Sequence, residues 1–153
     1  MHRLELKIPP VLVVLLLAVA MWGIARATAV VEPADWLRIG LSVLLWTMAA
    51  WMALAGVLEF RRARTTVNPM RPDEASAVVD TGIYRYTRNP MYLGFLLALI
   101  AWAVWLASPW SLLGPLVYLA WMTRFQIVPE ERALAERFGE PYRDYCRRVR
   151  RWL

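Results

Sequence analysis

Two short stretches of this chain hold most of the side chains able to do chemistry. The first is Gly82-Ile83-Tyr84-Arg85-Tyr86-Thr87-Arg88-Asn89-Pro90-Met91-Tyr92-Leu93-Gly94, where a charged, aromatic segment runs into an apolar one. The second is the carboxylate pair Glu130-Glu131. Residues 89–123 between them carry no charge over 35 positions. Tyrosine faces hold cations. A carboxylate pairs with an ammonium or accepts from hydroxyls, and the amides at a helix N-terminus take an anion. The ligand that suits this set is a cationic, partly aromatic molecule.

Each residue also has a plain structural reading. Asn89-Pro90 is an N-cap followed by proline at the first helical position. Glu130 and Glu131 follow Pro129 and suit the positive end of a helix. Tyr84, Tyr86 and Tyr92 suit anchors at a lipid–water boundary. Taken singly, the structural reading is favoured for each of them. Taken together, carboxylates, rings, Arg88 and helix N-termini converge on one membrane face. S-adenosylmethionine carries every group such a set would recognise.

The elements that must position these residues are set by hydropathy. The chain has 153 residues, 59% apolar, with nine Trp and a mean hydropathy of +0.40. A membrane crossing takes about 20 apolar residues. Residues 8–25 and 39–58 each come close to that without a charge. The run 89–123 is too long for one crossing, and Ala107-Ser108-Pro109-Trp110 breaks it, with Ser108 as N-cap and Pro109 at the first helical position. The expected fold is all-α and integral to the membrane: four transmembrane helices, a cytosolic connecting segment and amphipathic C-terminal helices. Residues 1–60 form the first helix pair. Residues 61–153 hold the loop, helices three and four and the tail, and would carry the catalytic core. The tail reads as a helix from Pro129, bent at Gly139 and Pro141, with Leu134, Phe138, Tyr142, Tyr145, Val149 and Trp152 at spacings of three or four. That apolar face is expected against the membrane or the bundle, with the arginines at the head groups.

Residues 8–25 also resemble a secretory signal, with Arg3 and Lys7 before them and Ala27-Thr28-Ala29 after. The apolar run is longer than a signal core and the remaining chain is itself lipophilic, so an uncleaved helix is expected. Basic residues lie before helix one (Arg3 and Lys7), between helices two and three (Arg61 to Arg88) and after helix four. By the positive-inside rule, both termini and the central loop then face the cytosol. The net charge of +6 thus reflects topology and attraction to anionic lipid. It calls for no nucleic acid. One cysteine, Cys146, and one histidine, His2, leave neither a disulfide framework nor a metal centre to expect. Seventeen arginines against one lysine point to a prokaryotic inner membrane.

The ordered set Gly82-x-Tyr84-x-x-x-Arg88-Asn89-Pro90-x-Tyr92-x-Gly94, Glu130-Glu131-x-x-Leu134 and Phe138-Gly139-x-x-Tyr142-x-x-Tyr145 resembles the isoprenylcysteine carboxyl methyltransferase family, itself related to the membrane phospholipid methyltransferases. The resemblance spans residues 65–153; the first two helices match in hydropathy alone. It implies S-adenosylmethionine as cofactor and S-adenosylhomocysteine as product. Tyr84, Arg88, Asn89, Pro90, Met91, Tyr92 and Glu130 would contact the cofactor, together with Ser76, Ala77, Val78 and Val79. Glu131 would orient it or cap the helix. Arg124, Gln126 and Glu131 are the substrate-side candidates. Eukaryotic members usually carry His where Asn89 stands, and Asn does not titrate near neutrality.

The expected reaction is in-line methyl transfer to an oxygen, nitrogen or sulfur of a lipophilic, isoprenoid- or lipid-like acceptor. A carboxylate acceptor is slightly favoured, because it is already ionised, whereas an amine must lose a proton to Glu131 or Tyr92. Phospholipid N-methylation and a non-catalytic lipid-binding or assembly module are the alternatives. The expected partners are membrane lipids and the acceptor.

Overall fold

The structure, a computed structural model, describes residues 4–31, 33–65, 68 and 70–153, with residue 73 in its backbone only. His2 and Arg3, which enter the sequence reading, lie outside the described residues. Among the described residues the chain is helical and has no strand: α1 (Pro10–Ala27), α2 (Asp35–Arg62), α3 (Pro90–Leu106), α4 (Leu113–Trp121), α5 (Val128–Phe138) and α6 (Glu140–Arg148). Tight 3-10 turns lie at Pro72–Glu74, Gly82–Arg85 and Pro109–Leu112.

Local chemistry sets several of the boundaries. Proline at the first turn starts α1 and α3, since its missing N–H would have had no helical partner there. Asp35 at the start of α2 and Arg61 and Arg62 at its end oppose the helix dipole. Helix α3 stops at Ala107, which adopts the left-handed conformation at φ 51°. Its carbonyl then accepts from Val31 N–H at 2.7 Å.

Helix α3 is the centre of the bundle. It packs antiparallel along α2 on one side and against α1 and α4 on the other. Small residues let α2 and α3 approach closely: a Cβ on Gly94 would stand 2.8 Å from the Ala49 carbonyl oxygen and 3.2 Å from the Ala53 nitrogen. Polar cross-links join the remaining helices. Trp102 Nε1 donates to Ala18 O at 3.0 Å, and Ser111 Oγ to Met21 O at 3.2 Å. One apolar core joins Val13 and Met21 of α1, Leu99 and Ala103 of α3 and Tyr118 of α4.

Among the described residues, helices α1 and α2 are the two that are long and apolar enough to cross a membrane. They keep Leu15, Leu16, Val19, Trp46, Trp51 and Leu54 exposed, which in water would be an unsupported apolar surface. A bilayer solvates such faces. Helix α3, at 17 residues, is shorter.

Three local expectations need correction. Ser108 makes no capping bond; it is buried, with its hydroxyl 3.2 Å from that of Thr28. Asn89 does not cap α3 either, because its amide is turned to the C-terminal segment. The tail helix has no free start at Pro129. Helix α4 runs through a π-helical segment, Met122–Ile127, directly into α5. Glu130 and Glu131 therefore do not sit at an open helix N-terminus. The bend in the tail is at Gly139, φ 63°.

Gly94→Val is expected to wedge α2 from α3 and lower the melting temperature in detergent by several degrees, corresponding to about 1–3 kcal/mol. Gly40→Val, whose Cβ would meet nothing within 4 Å, is expected to leave it unchanged.

Candidate active site

A cavity of about 300 Å³ lies where α2, α3, α5 and α6 meet. Its walls differ in chemistry. Pro10 and Val11 of α1, Ala53 and Val57 of α2, and Met91 and Phe95 of α3 make an apolar side. Ala75, Ala77, Val78 and Val79 of the central segment, with Leu134, Tyr142 and Tyr145 of the tail, also line it. Between these walls stand Tyr84, Arg88, Asn89, Tyr92, Glu130 and Glu131.

The central segment is fixed to α2 by Glu59. This buried carboxylate accepts from Thr81 Oγ1 at 2.7 Å and from Arg62 Nη1 at 2.6 Å. Gly82 passes directly over it with φ 55°; a Cβ there would lie 2.5 Å from the Glu59 carboxyl carbon. Glycine is required at that position by conformation and by space. The turn that follows buries Tyr84, whose ring meets Phe60 edge-on at 5.3 Å. Tyr145 Oη donates to Tyr84 O at 2.8 Å, joining the tail to the same turn. The amphipathic face of the tail therefore packs on this segment and the end of α2.

Glu130 is the polar end of the cavity. Tyr92 Oη donates to its Oε2 at 2.9 Å, and Gln126 Nε2 stands 3.4 Å from the same phenol. Burial pushes its pKa up to about 7, although the hydrogen bonds from Tyr92 and Gln126 act in the opposite direction. Glu131 has the reverse balance. Burial would raise its pKa, but hydrogen bonds from Arg151 and Arg88 outweigh that and hold it below the usual carboxylate range.

Those two arginines make a clasp. Arg151 reaches Glu131 with two nitrogens, at 3.0 and 2.6 Å, and Arg88 Nη2 reaches it at 2.6 Å. Arg88 Nη1 also donates to Cys146 O at 2.9 Å and Val149 O at 2.8 Å. Its backbone N–H donates to Arg150 O at 3.0 Å, and Asn89 Nδ2 to Arg151 O at 2.9 Å. The C-terminal segment is thus tied down beside the cavity by the same residues that begin α3.

The structure brings together Tyr84, Arg88, Asn89, Met91, Tyr92, Glu130 and Glu131, with Ala77, Val78 and Val79, on one cavity. Ser76 faces away from it and bonds Thr65 Oγ1 and Arg64 O. Pro90 packs towards Gly56 of α2. Gln126 is buried beside Tyr92, while Arg124 is on the outer side, 3.1 Å from Glu5. The lining residues Pro10, Val11, Ala53, Val57 and Phe60 have no sequence signal beyond hydropathy. Tyr142 and Tyr145, by contrast, stand in the tail motif and are legible there as a paired ring set. No group of three or more metal-ligating side chains occurs among the described residues.

A family model described as phospholipid methyltransferase matches residues 37–141, from early in α2 to the start of α6. The match therefore takes in α2, where the sequence motifs begin only in the central segment. A methanethiol S-methyltransferase of Pseudomonas deceptionensis is 32% identical over 125 residues, 80% of this chain and 44% of that protein. A protein-S-isoprenylcysteine O-methyltransferase B of Arabidopsis thaliana is 33% identical over 89 residues, 58% of this chain and 45% of that protein. An uncharacterized protein of Haemophilus influenzae is 44% identical over 63 residues, which is 41% of this chain and the whole of that protein. The chain spans less than half the length of the two named methyltransferases. No solved structure matches it.

The two carboxylates are expected to respond to pH with opposite sign in the ligand-free protein. Glu130 holds its proton more tightly folded than unfolded, so its ionisation weakens the fold as pH rises from the ordinary carboxylate range through about 7. Glu130→Gln should therefore gain stability relative to the unchanged chain between pH 5 and pH 8, by an amount on the order of 2–3 kcal/mol. Glu131 stabilises the fold above its unfolded pKa, and that contribution is lost as pH falls through its lower folded value. Thermal unfolding in detergent from pH 5 to pH 8 measures the first, and extending it into the acid range below the ordinary carboxylate pKa measures the second; a pH-independent difference for Glu130→Gln would refute the assignment.

Proposed function

This chain belongs to the phospholipid methyltransferase family, with isoprenylcysteine carboxyl methyltransferase-like relatives, and on that premise we propose that it is an integral membrane S-adenosylmethionine-dependent methyltransferase acting on a lipophilic acceptor. The observation that carries this reading is one cavity lined both by a buried carboxylate, Glu130, and by apolar residues of α1, α2 and α3.

The residues suit the cofactor. The cavity volume lies at the lower end for small-molecule sites. Glu130 would hold an ammonium or ribose hydroxyls, and Tyr84, Tyr92, Tyr142 and Tyr145 give the aromatic surround that a cation and a purine prefer. Arg88, tied to Glu131, lines the cavity with its Nε buried and without a hydrogen-bond partner. When bound, the cofactor supplies a methyl group already activated on a sulfonium. The protein's share is then alignment and the exclusion of water. Met91, Phe95, Ala53 and Val57 keep the acceptor side dry. Tyr92 and Gln126 hold the Glu130 carboxylate in place.

The acceptor is taken to be isoprenoid- or lipid-like. A carboxylate acceptor needs no base, which suits a site with Asn89 in place of His. A phospholipid amine is the second reading, favoured by the family description. For topology, we place α3 and the continuous stretch from α4 into the π segment as third and fourth crossings, with both termini in the cytosol of a prokaryotic cell.

Calorimetry with S-adenosylhomocysteine on the detergent-solubilised chain is expected to show binding that tightens from pH 6 to pH 8, as Glu130 ionises. Glu130→Gln should weaken it about tenfold or more, the scale of one lost charged hydrogen bond, and remove the pH dependence. Glu131→Gln should mainly lower the melting temperature. Absence of binding by the unchanged chain would leave a non-catalytic membrane module. Incubating membranes with methyl-labelled cofactor, and separating labelled ester from labelled phospholipid, decides the acceptor class.

A further inference from the structure

The described N-terminal residues make contacts that the methyl-transfer reading leaves unused. Pro129 has no amide to return to the Phe125 carbonyl, its partner in regular α-helical spacing. Leu6 N–H donates to that carbonyl at 3.0 Å, from a turn in which Leu6 itself has φ 56°. Non-glycine residues hold such a conformation only where surrounding contacts fix it. The adjacent Glu5 supplies them. Its side chain is only 6% exposed and lies 3.1 Å from Arg124 Nη1 and 3.6 Å from Arg132 Nη1. Arg124 belongs to the π segment and Arg132 to α5, so Glu5 bridges the junction between the two.

That junction sets the phase of the site. Within the π segment the helix bonds with one residue more per turn, as in Val128 N–H to Thr123 O. The extra residue changes which side chains share a face. Gln126 on the segment meets Tyr92, and Glu130, one turn on, meets the same phenol.

We propose that the turn at Glu5 and Leu6 is a register clamp on the π segment, and that Glu5 is a positioning residue for the Gln126–Tyr92–Glu130 end of the cavity. Arg124 then acts through Glu5 rather than on the acceptor. The inference rests on the cofactor reading only where ligand affinity is the readout.

The test compares Glu5→Gln, Glu5→Asp and Arg124→Gln in the full chain, in detergent. S-adenosylhomocysteine affinity is measured by calorimetry. The protonated-carboxyl infrared band of Glu130, assigned by its loss in Glu130→Gln, reports the site without ligand. Glu5→Gln and Arg124→Gln are each expected to weaken affinity about tenfold and to shift that band, and Glu5→Asp to recover part of both. Arg124→Gln removes the contact from the other side should Glu5→Gln not fold. A lower melting temperature with the band and the affinity both unchanged would overturn the proposal and leave an outer brace. If the unchanged chain binds no S-adenosylhomocysteine, the cofactor reading fails, and the infrared band still decides the clamp.

Discussion

One carboxylate, Glu131, holds three parts of the chain in one place. It stands on α5, takes Arg88 from the entrance of α3 and takes Arg151 from the C-terminal segment. These charges are partly buried, so each is costly if left alone and the group is favourable only as a set. The constraint extends outward, because Arg88 spends its other amino group on the carbonyls of Cys146 and Val149. Glu131 is thus a structural centre, and its neighbour Glu130 is left to face the cavity.

Adjacent glutamates on one helix acquire opposite electrostatic character by this arrangement. Successive positions point about 100° apart. One points to two guanidinium groups and stays ionised. The other points to a phenol and an amide and holds its proton to about neutrality. The ion network around Glu131 fixes the geometry of α5 without pairing the carboxyl that faces the cavity.

The helical architecture and the two helices of membrane-crossing length were legible from hydropathy, because lipid forces every span to satisfy its own backbone bonds. The cavity's polar rim was legible as an ordered set of motifs. What escaped was phase and direction. Pro129 read as a helix start, yet the structure carries the helix through it by switching to π geometry. Asn89 read as a cap, yet its amide is used on a segment 62 positions away. Pro10, Val11 and Val57 line the cavity but look like any lipid-facing residue in sequence, since hydropathy does not say which way an apolar side chain turns. Glu59 was missed for a related reason: its partner, Thr81, comes from a turn-rich loop whose path no local signal sets.

The uninterrupted course of α4, the π segment and α5 has a bearing on how this fold can change over generations. A wider helical turn amounts to one surplus residue. Deleting any single position there would restore ordinary spacing but swing everything downstream through about a quarter of a revolution. Glu130, Glu131 and the whole tail would lose their facing partners at once. The length of that stretch is therefore fixed as tightly as its side chains at Gln126, Glu130 and Glu131.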